Sequence, residues 1–158
     1  MNFEFAGQIN PYLAELNFDQ AINIAETELR NLPTTVFHSV VGKPLTNQAD
    51  GLANWTNKFY QQASKHIDIK ALYFELNEFD INTDSWYIDG FSYDKDGGLN
   101  LDDMDWLSDF TRDRMTSEEF ILTGFEKLQF AFESLELDDD DLQYARDWSE
   151  QIIIARFM

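Results

Sequence analysis

A short stretch of aspartates around two glycines is the first candidate for chemistry. Asp94-Lys95-Asp96-Gly97-Gly98 begins like a calcium loop, which needs oxygen ligands at positions 1, 3 and 5, glycine at 6 and glutamate at 12. Counted from Asp94, position 5 is Gly98, position 6 is Leu99 and position 12 is Asp105. Because one ligand is missing and the glycine is displaced, we expect a hairpin loop and no metal. Opportunistic cation binding is the alternative for the nearby carboxylates Asp94, Asp96, Asp102 and Asp103.

Two carboxylates on neighbouring predicted strands are the second candidate. Asp89 stands within one predicted strand and Glu75 within the preceding one. A carboxylate pair performs general acid–base work, as in glycoside hydrolysis, when burial raises the pKa of one member. Both residues also suit the solvated face of a sheet, so a carboxylate-based hydrolase is only the less favoured interpretation.

The sequence lacks the residues and motifs that other catalytic chemistries need. The chain contains no cysteine, so thiol catalysis and cysteine-ligated zinc are excluded. Its two histidines, His38 and His66, are far apart in the sequence and have no third ligand at metal-binding spacing. No phosphate-binding glycine loop, nucleophile elbow or zinc-protease motif occurs. We therefore predict a protein that is not an enzyme and that has no cofactor.

The charge is large and unevenly distributed. There are 30 acidic and 11 basic residues, a net charge of −19, and residues 77–147 alone hold 21 acidic against 5 basic residues. Such a surface repels nucleic acid, anionic membranes and acidic substrates, and it suits a basic protein or a cation. The predicted partner is therefore a basic protein, with no binding to nucleic acid or to a membrane.

Length and composition predict one folded domain spanning residues 1–158. A hydrophobic fraction of 44% and an aromatic fraction of 15% are too high for a disordered acidic tail. The sequence shows no secretory signal and no apolar run long enough to cross a bilayer. Together with the lack of cysteine, this favours a cytoplasmic location.

Helical and strand patterns follow one another in blocks. Apolar residues at helical spacing predict helices over about 19–31, 47–66, 123–134 and 140–157. The third is opened by a capping box of Thr123 and Glu126. A period of two predicts strands over about 69–77, 86–93 and 105–110, with a fourth short strand at 118–122. Residues 34–46 suit a short strand or an irregular segment, and a helical turn is expected at 11–15. The predicted fold is α+β: a small antiparallel meander of three or four strands (about 69–122), flanked by N-terminal and C-terminal helices.

Aromatic residues alternate along the predicted strands, at Trp86, Tyr87, Phe91, Tyr93, Trp106 and Phe110. If about half of them face solvent, they are interleaved with aspartates, and rings with carboxylates build protein interfaces: rings supply contact area and carboxylates steer the partner. If every ring is buried, the acidic block is only a solvated surface. The sequence alone leaves both arrangements open.

In composition the chain resembles the acidic immunity proteins with which bacteria neutralise nuclease-type toxins. The shared features are the acidic block of residues 77–147, a small α+β domain, and the lack of cysteine and of catalytic motifs. The resemblance implies one-to-one binding to a basic toxin domain. The residues predicted to bind the partner are Asp84, Trp86, Tyr87, Asp89, Asp94, Asp96, Asp102, Asp103, Asp105 and Asp109. The alternative is a structural or regulatory domain that self-associates through an exposed sheet edge.

Overall fold

The computed structural model describes residues 3–77, 85–98, 100, 103–136 and 139–158. The chain divides into two compact units, which we call the helical unit (Met1–Asn47 with Phe125–Met158) and the sheet unit (Gln48–Gly124). Its α-helices are α1 (Phe3–Ala14), α2 (Phe18–Asn31), α3 (Ala49–Ala63), α4 (Glu126–Ser134) and α5 (Asp140–Phe157). Its strands are β1 (Ala71–Asn77), β2 (Tyr87–Tyr93) and β3 (Phe120–Ile121).

These elements confirm an α+β fold with a small antiparallel sheet. The expected helical turn at 11–15 overlaps the end of a longer helix, α1. That the chain is one folding domain stays a prediction. Within the described residues, no helix combines the length and the hydropathy needed to cross a membrane.

The helical unit begins with two helices joined by a tight turn. Leu16 follows α1 in the left-handed region, with φ at 58°, and its N–H donates to the carbonyl of Leu13 (3.0 Å). The next N–H, of Asn17, donates to the carbonyl of Tyr12 (2.8 Å). This is the bonding pattern of a Schellman cap, in which glycine usually occupies the left-handed position. Asn17 then caps α2, because its side chain accepts a hydrogen bond from the N–H of Gln20 (3.3 Å).

A buried carboxylate connects α2, α5 and the loop between α2 and α3. Alanines on both helices are fully buried, which lets the helices approach closely. Glu26 accepts a hydrogen bond from the N–H of Gly42 (2.9 Å) and pairs with Arg30 (2.5 Å) and with Arg156. Arg156 also donates to the carbonyl of Val40 (2.6 Å). Burial lowers the pKa of Arg156 and Glu26 counteracts that effect, so the pair stabilises a charge held away from water.

The β-branched segment after α2 is a 3₁₀ helix, Val36–Val40, and not a strand. Its first turn is closed by side chains: His38 Nδ1 accepts a hydrogen bond from the N–H of Thr35 (3.1 Å). Phe37 is fully buried and meets Phe132 of α4 edge to face, with ring centroids 5.4 Å apart. The segment therefore belongs to the core of the helical unit.

The sheet unit contains a meander in which β2 lies between β1 and β3, all antiparallel. Side chains alternate along β1, so Leu72, Phe74 and Leu76 share one face. Trp55 and Phe59 of α3 contact Phe74 on this face, with ring centroids 5.9 and 6.4 Å away. Helix α3 thus covers the apolar face of the sheet.

The strand predicted over residues 105–110 is wrong. These residues contain a 3₁₀ helix, Asp105–Ser108, which has no place in the ladder. The edge of β2 that such a strand would use is already occupied: Met115 bridges Phe91, and the N–H of Thr116 donates to the carbonyl of Gly90 (2.8 Å). The predicted fourth strand exists only as the two residues of β3.

The capping box predicted at Thr123 is also wrong. Helix α4 begins at Glu126, and its cap residue, Phe125, makes no capping hydrogen bond with its side chain. The Thr123 hydroxyl instead contacts the amide oxygen of Gln48 (3.2 Å), which also accepts the Thr123 N–H (2.9 Å). A left-handed glycine, Gly124 (φ 88°), then turns the chain before α4 can start.

Candidate partner-binding surface

The predicted partner-binding residues belong to the sheet unit but lie in different environments. Asp84 and Asp102 fall outside the described residues. Trp86 is 0% exposed, so its ring is part of the core and offers no surface to a partner. This corrects the expectation that Trp86 is an anchor. Tyr87 is half-buried and stands opposite Ile121, which is 51% exposed, so it stays a predicted anchor.

Most of the remaining predicted aspartates lie on what we call the acidic loop, residues 94–98 and 103–110. Aromatic packing holds its two parts together. Trp106 meets Tyr93 edge to face (centroids 4.9 Å apart), and the Tyr93 hydroxyl donates to the carbonyl of Leu107 (2.8 Å). The indole lies so close to Gly97 that an added Cβ would be 2.2 Å from it. The carboxylates of the loop are therefore carried on a packed scaffold.

Two carboxylates of the acidic loop are paired with cations of the same unit. Asp109 accepts a hydrogen bond from Lys95 (3.0 Å), and Asp94 accepts one from Arg114 (3.1 Å). The hydrogen bond from Lys95, followed by its charge, lowers the pKa of Asp109. All of these partners except Arg114 are well exposed, so the pairs contribute little to stability and partly neutralise the surface.

Three other aspartates of the loop, Asp96, Asp103 and Asp105, are exposed. Within the part of the chain that the structure describes, none of them forms an ion pair. Asp96 accepts a hydrogen bond from the N–H of Gly98 (2.8 Å), which orients its carboxylate in the turn. Within the same described residues, no three acidic or histidine side chains converge in a metal-binding arrangement.

The predicted carboxylate pair is brought together by strand pairing. Glu75 of β1 and Asp89 of β2 are directly opposite in the register and therefore share a face of the sheet. Asp89 accepts hydrogen bonds from Asn77 Nδ2 (3.1 Å) and from the Thr116 hydroxyl (3.4 Å). The Thr116 hydroxyl in turn accepts one from the N–H of Gly90 (3.2 Å). Burial raises the pKa of Asp89, and the hydrogen bond from Thr116 opposes the increase.

An open cleft of about 600 Å³ lies beside Asp89. Among the described residues, its acidic, hydroxyl, apolar and basic walls are formed by Asp89, Arg112, Met115, Thr116, Ser117, Glu118, Glu119 and Ile121. Asp89 is on the same face of β2 as Phe91 and Tyr93, and the ring of Phe91 contacts Phe110 (centroids 4.9 Å). The cleft and the acidic loop therefore lie on the same side of the sheet.

Sequence reasoning missed the residues that hold Asp89 in place. Asn77 is directly opposite Tyr87, two pairs along the ladder from Asp89, and Thr116 lies in a segment predicted to be a connection. No local signal marks either residue, because both contacts depend on how segments distant along the chain pair with β2. Comparisons of this chain with known protein families, with curated proteins and with solved structures return no match.

Proposed function

We propose that this chain is a protein-binding module that neutralises a basic partner, as an immunity protein neutralises a nuclease-type toxin. The sheet unit carries the binding surface, and the cytoplasm is its place of action. The observation that supports this best is the set of exposed, unneutralised carboxylates of the acidic loop: Asp96, Asp103 and Asp105. They imitate spaced phosphates that a basic nuclease surface would bind.

The charge of the sheet unit supports steered association. The unit contains 16 acidic and 6 basic residues, a net charge of −10. A field of one sign raises association rates by about 10 to 10³-fold and loses strength as salt is added. A basic partner would therefore be attracted before any contact forms.

The packed loop and the cleft supply the contact itself. Because Tyr93 and Trp106 hold the loop, its carboxylates are placed before binding, which reduces the entropy lost on association. Tyr87 and the exposed Ile121 give the same side an aromatic and apolar contact area. Asp89 is half-buried in the cleft and has lost part of its contact with water. A cationic side chain of the partner that enters the cleft would compensate that loss.

The test is affinity capture from the native host with the intact chain, followed by association kinetics of the captured protein by surface plasmon resonance. We expect a basic protein that binds one-to-one. Its association rate should fall about tenfold or more between ~50 and ~500 mM NaCl, because the attraction is screened. A rate that does not depend on salt contradicts the proposal.

A matched pair of variants distinguishes the effect of the acidic-loop carboxylates on association from the effect of net charge alone. Asp96→Asn, Asp103→Asn and Asp105→Asn combined should slow association by about tenfold, because they remove the local field. Combining Glu15→Gln, Glu133→Gln and Glu136→Gln removes the same charge from exposed positions of the helical unit and should have a much smaller effect. Equal effects of the two triple variants would refute the assigned surface.

Carboxylate-based hydrolysis is a second candidate function, and the Glu75–Asp89 pair favours it. Directly opposed residues have Cβ atoms about 4.5–5.5 Å apart, so both carboxyl groups are placed to act on one substrate, as the carboxylate pair of a glycosidase does. Asp89, with its raised pKa, would be the acid and Glu75 the nucleophile. A panel of 4-nitrophenyl glycosides tests it: release should be lost in Glu75→Gln and Asp89→Asn and kept in Glu118→Gln. No release refutes hydrolysis, and release that survives in all three variants refutes its assignment to Glu75 and Asp89.

A further inference from the structure

The hydrogen-bonding direction of β2 shows which backbone groups of β1 are left over. On the β3 side of β2, the carbonyls of Trp86 and Gly90 accept from the N–H groups of Leu122 and Thr116, both at 2.8 Å. Even-numbered residues of β2 therefore direct their backbone groups away from β1, and odd-numbered residues bond to it. In the observed register each odd residue of β2 stands opposite an odd residue of β1.

The same register directs the N–H and C=O groups of Leu72, Phe74 and Leu76 to the outer edge of the sheet. Each of these residues stands opposite an even-numbered residue of β2, whose own groups point the other way. Among the described residues, no group hydrogen bonds to them. Strand β1 is an edge strand and is half-buried along its whole length, so three donors and three acceptors face outward.

This edge lacks the features that usually prevent strand addition. Edge strands of soluble proteins are commonly blocked by proline, by lysine, by a bulge or by being very short. The seven residues of β1 contain no proline and no basic residue, and they pair with β2 without a break. Glu75 is the single charge on the strand.

We propose that β1 pairs antiparallel with β1 of a second copy of this chain, about a two-fold axis at Phe74. In this register Phe74 pairs with Phe74 of the partner subunit, and Leu72 pairs with Leu76 of the partner subunit. Every outward group of the two edges is then used, because 72, 74 and 76 are the hydrogen-bonding positions of the new ladder. The two three-stranded sheets become one continuous sheet.

Side chains of β1 fit the same register. The apolar row of Leu72, Phe74 and Leu76 continues across the axis, and Tyr73 stands opposite Glu75 of the partner subunit. Burial, and then Glu75 of the same chain, raise the pKa of Tyr73, so its hydroxyl keeps its proton at neutral pH and can donate to the carboxylate across the axis. No carboxylate of β1 faces another across the axis, which would cost stability.

Charge makes this association depend on salt in the opposite sense to partner binding. Two sheet units of net charge −10 repel each other, and added salt screens that repulsion. Pairing of one short strand buries less surface than the roughly 1,200–2,000 Å² of a stable interface, so we expect a dissociation constant of about 10 µM to 1 mM. The dimer should strengthen with salt, whereas binding of a basic partner should weaken.

Sedimentation equilibrium of the intact chain tests the proposal, with two variants that remove the same ring. Tyr73→Lys places lysine opposite Glu75 of the partner subunit, and Tyr73→Glu places a carboxylate there. We expect the dissociation constants of these two variants to differ by about tenfold, with Tyr73→Lys the tighter dimer. Adding Glu75→Lys to Tyr73→Glu reverses the charges and should restore the dimer.

Amide exchange of the unmodified chain gives a measurement that needs no variant. In dilute solution the amides of Leu72, Phe74 and Leu76 should exchange much faster than those of Tyr73 and Glu75, and they should gain protection as concentration rises. A chain that stays monomeric to about 1 mM in high salt overturns the inference. Equal dissociation constants for the two Tyr73 variants also overturn it. So does amide protection at residues 72, 74 and 76 that does not depend on protein concentration. None of these results bears on the salt-weakened binding of a basic partner.

Discussion

The helical unit and the sheet unit carry almost the same charge but place their carboxylates differently. The helical unit has 14 acidic and 5 basic residues, and the sheet unit has 16 and 6. In the helical unit Glu26, Asp147 and Glu150 are buried, at 8%, 3% and 1% exposure. Among the described acidic residues of the sheet unit none is buried; Glu75 and Asp89 are half-buried and the rest are exposed.

This contrast separates two uses of a carboxylate. Glu26 is surrounded by donors, and a buried charge is tolerated only when such partners compensate its loss of water. The aspartates of the acidic loop keep their water, so their ion pairs are weak and their charge acts on the surroundings. With nearly equal net charge, the helical unit thus includes carboxylates that act inside its core, whereas the described carboxylates of the sheet unit all remain in contact with solvent.

Of the substitutions considered, Glu26→Gln should lower the stability of the chain most. The substitution leaves the Arg156 guanidinium, only 8% exposed, without its counter-charge. Breaking a buried pair from one side costs about 3–5 kcal/mol, so we expect a large fall in the urea midpoint. Asp109→Asn, which breaks the exposed pair with Lys95, should leave the midpoint almost unchanged. Similar falls for the two variants would contradict the assignment of different roles.

Gly90→Ala should cause the next largest loss of stability, because it disturbs the packing of the sheet unit. An added Cβ would lie 2.9 Å from both Phe74 Cε1 and Thr116 Cγ2, and 3.1 Å from Phe59 Cε1. Such overpacking costs about 1–3 kcal/mol. Gly7→Ala, at an exposed position of helix α1 with nothing within 4 Å, should stabilise by about 0.5–1 kcal/mol. Chemical denaturation measures both, and a stable Gly90→Ala would show that the contact can relax.

Leu16→Gly should stabilise the helical unit. Leu16 adopts φ 58° at the end of α1 and is 73% exposed, so replacing it removes strain and little buried surface. The left-handed conformation costs a non-glycine residue about 1–2 kcal/mol, part of which is offset by the greater freedom of glycine in the unfolded chain. We expect a gain of about 0.5–1 kcal/mol in thermal unfolding, and no gain in Leu16→Ala, which keeps the Cβ.

Two aspartates of the sheet unit, Asp89 and Asp109, should make small contributions of opposite sign to the pH dependence of folding stability. The pKa of Asp89 is raised by burial above the ordinary 3.8, so its ionisation opposes folding increasingly as pH rises from 3.8 through the folded value. The pKa of Asp109 is lowered by Lys95, so its contribution is present above 3.8 and is lost as pH falls through the folded value.

Thermal unfolding between about pH 3 and 7 measures this contrast. As pH rises, Tm of Asp89→Asn should increase relative to the unsubstituted chain, and Tm of Asp109→Asn should decrease relative to it. The slopes matter here, since each substitution also adds a constant offset through its hydrogen bonds. Slopes of the same sign would mean that Asp89 is not desolvated.

Periodicity and charge, which are local, were readable from the sequence. Repeats of 3.6 residues placed α2, α3 and α5, and a period of two placed β1 and β2, each within a few residues of its observed bounds. The acidic block and the absence of catalytic motifs are likewise properties of composition. Local patterns report which face of an element is apolar, and so they suffice for an α+β fold with a small antiparallel sheet.

Tertiary structure alone decided which alternating segment became a strand and which carboxylates met. Residues 105–110 alternate like a strand but form a 3₁₀ helix, because Met115 and Thr116 already occupy the edge of β2. Trp86 is in the core, and Glu75 stands opposite Asp89, through strand register that no local pattern encodes. The physical reason is the same throughout: propensity acts between neighbours in sequence, whereas pairing, burial and charge compensation depend on residues distant along the chain.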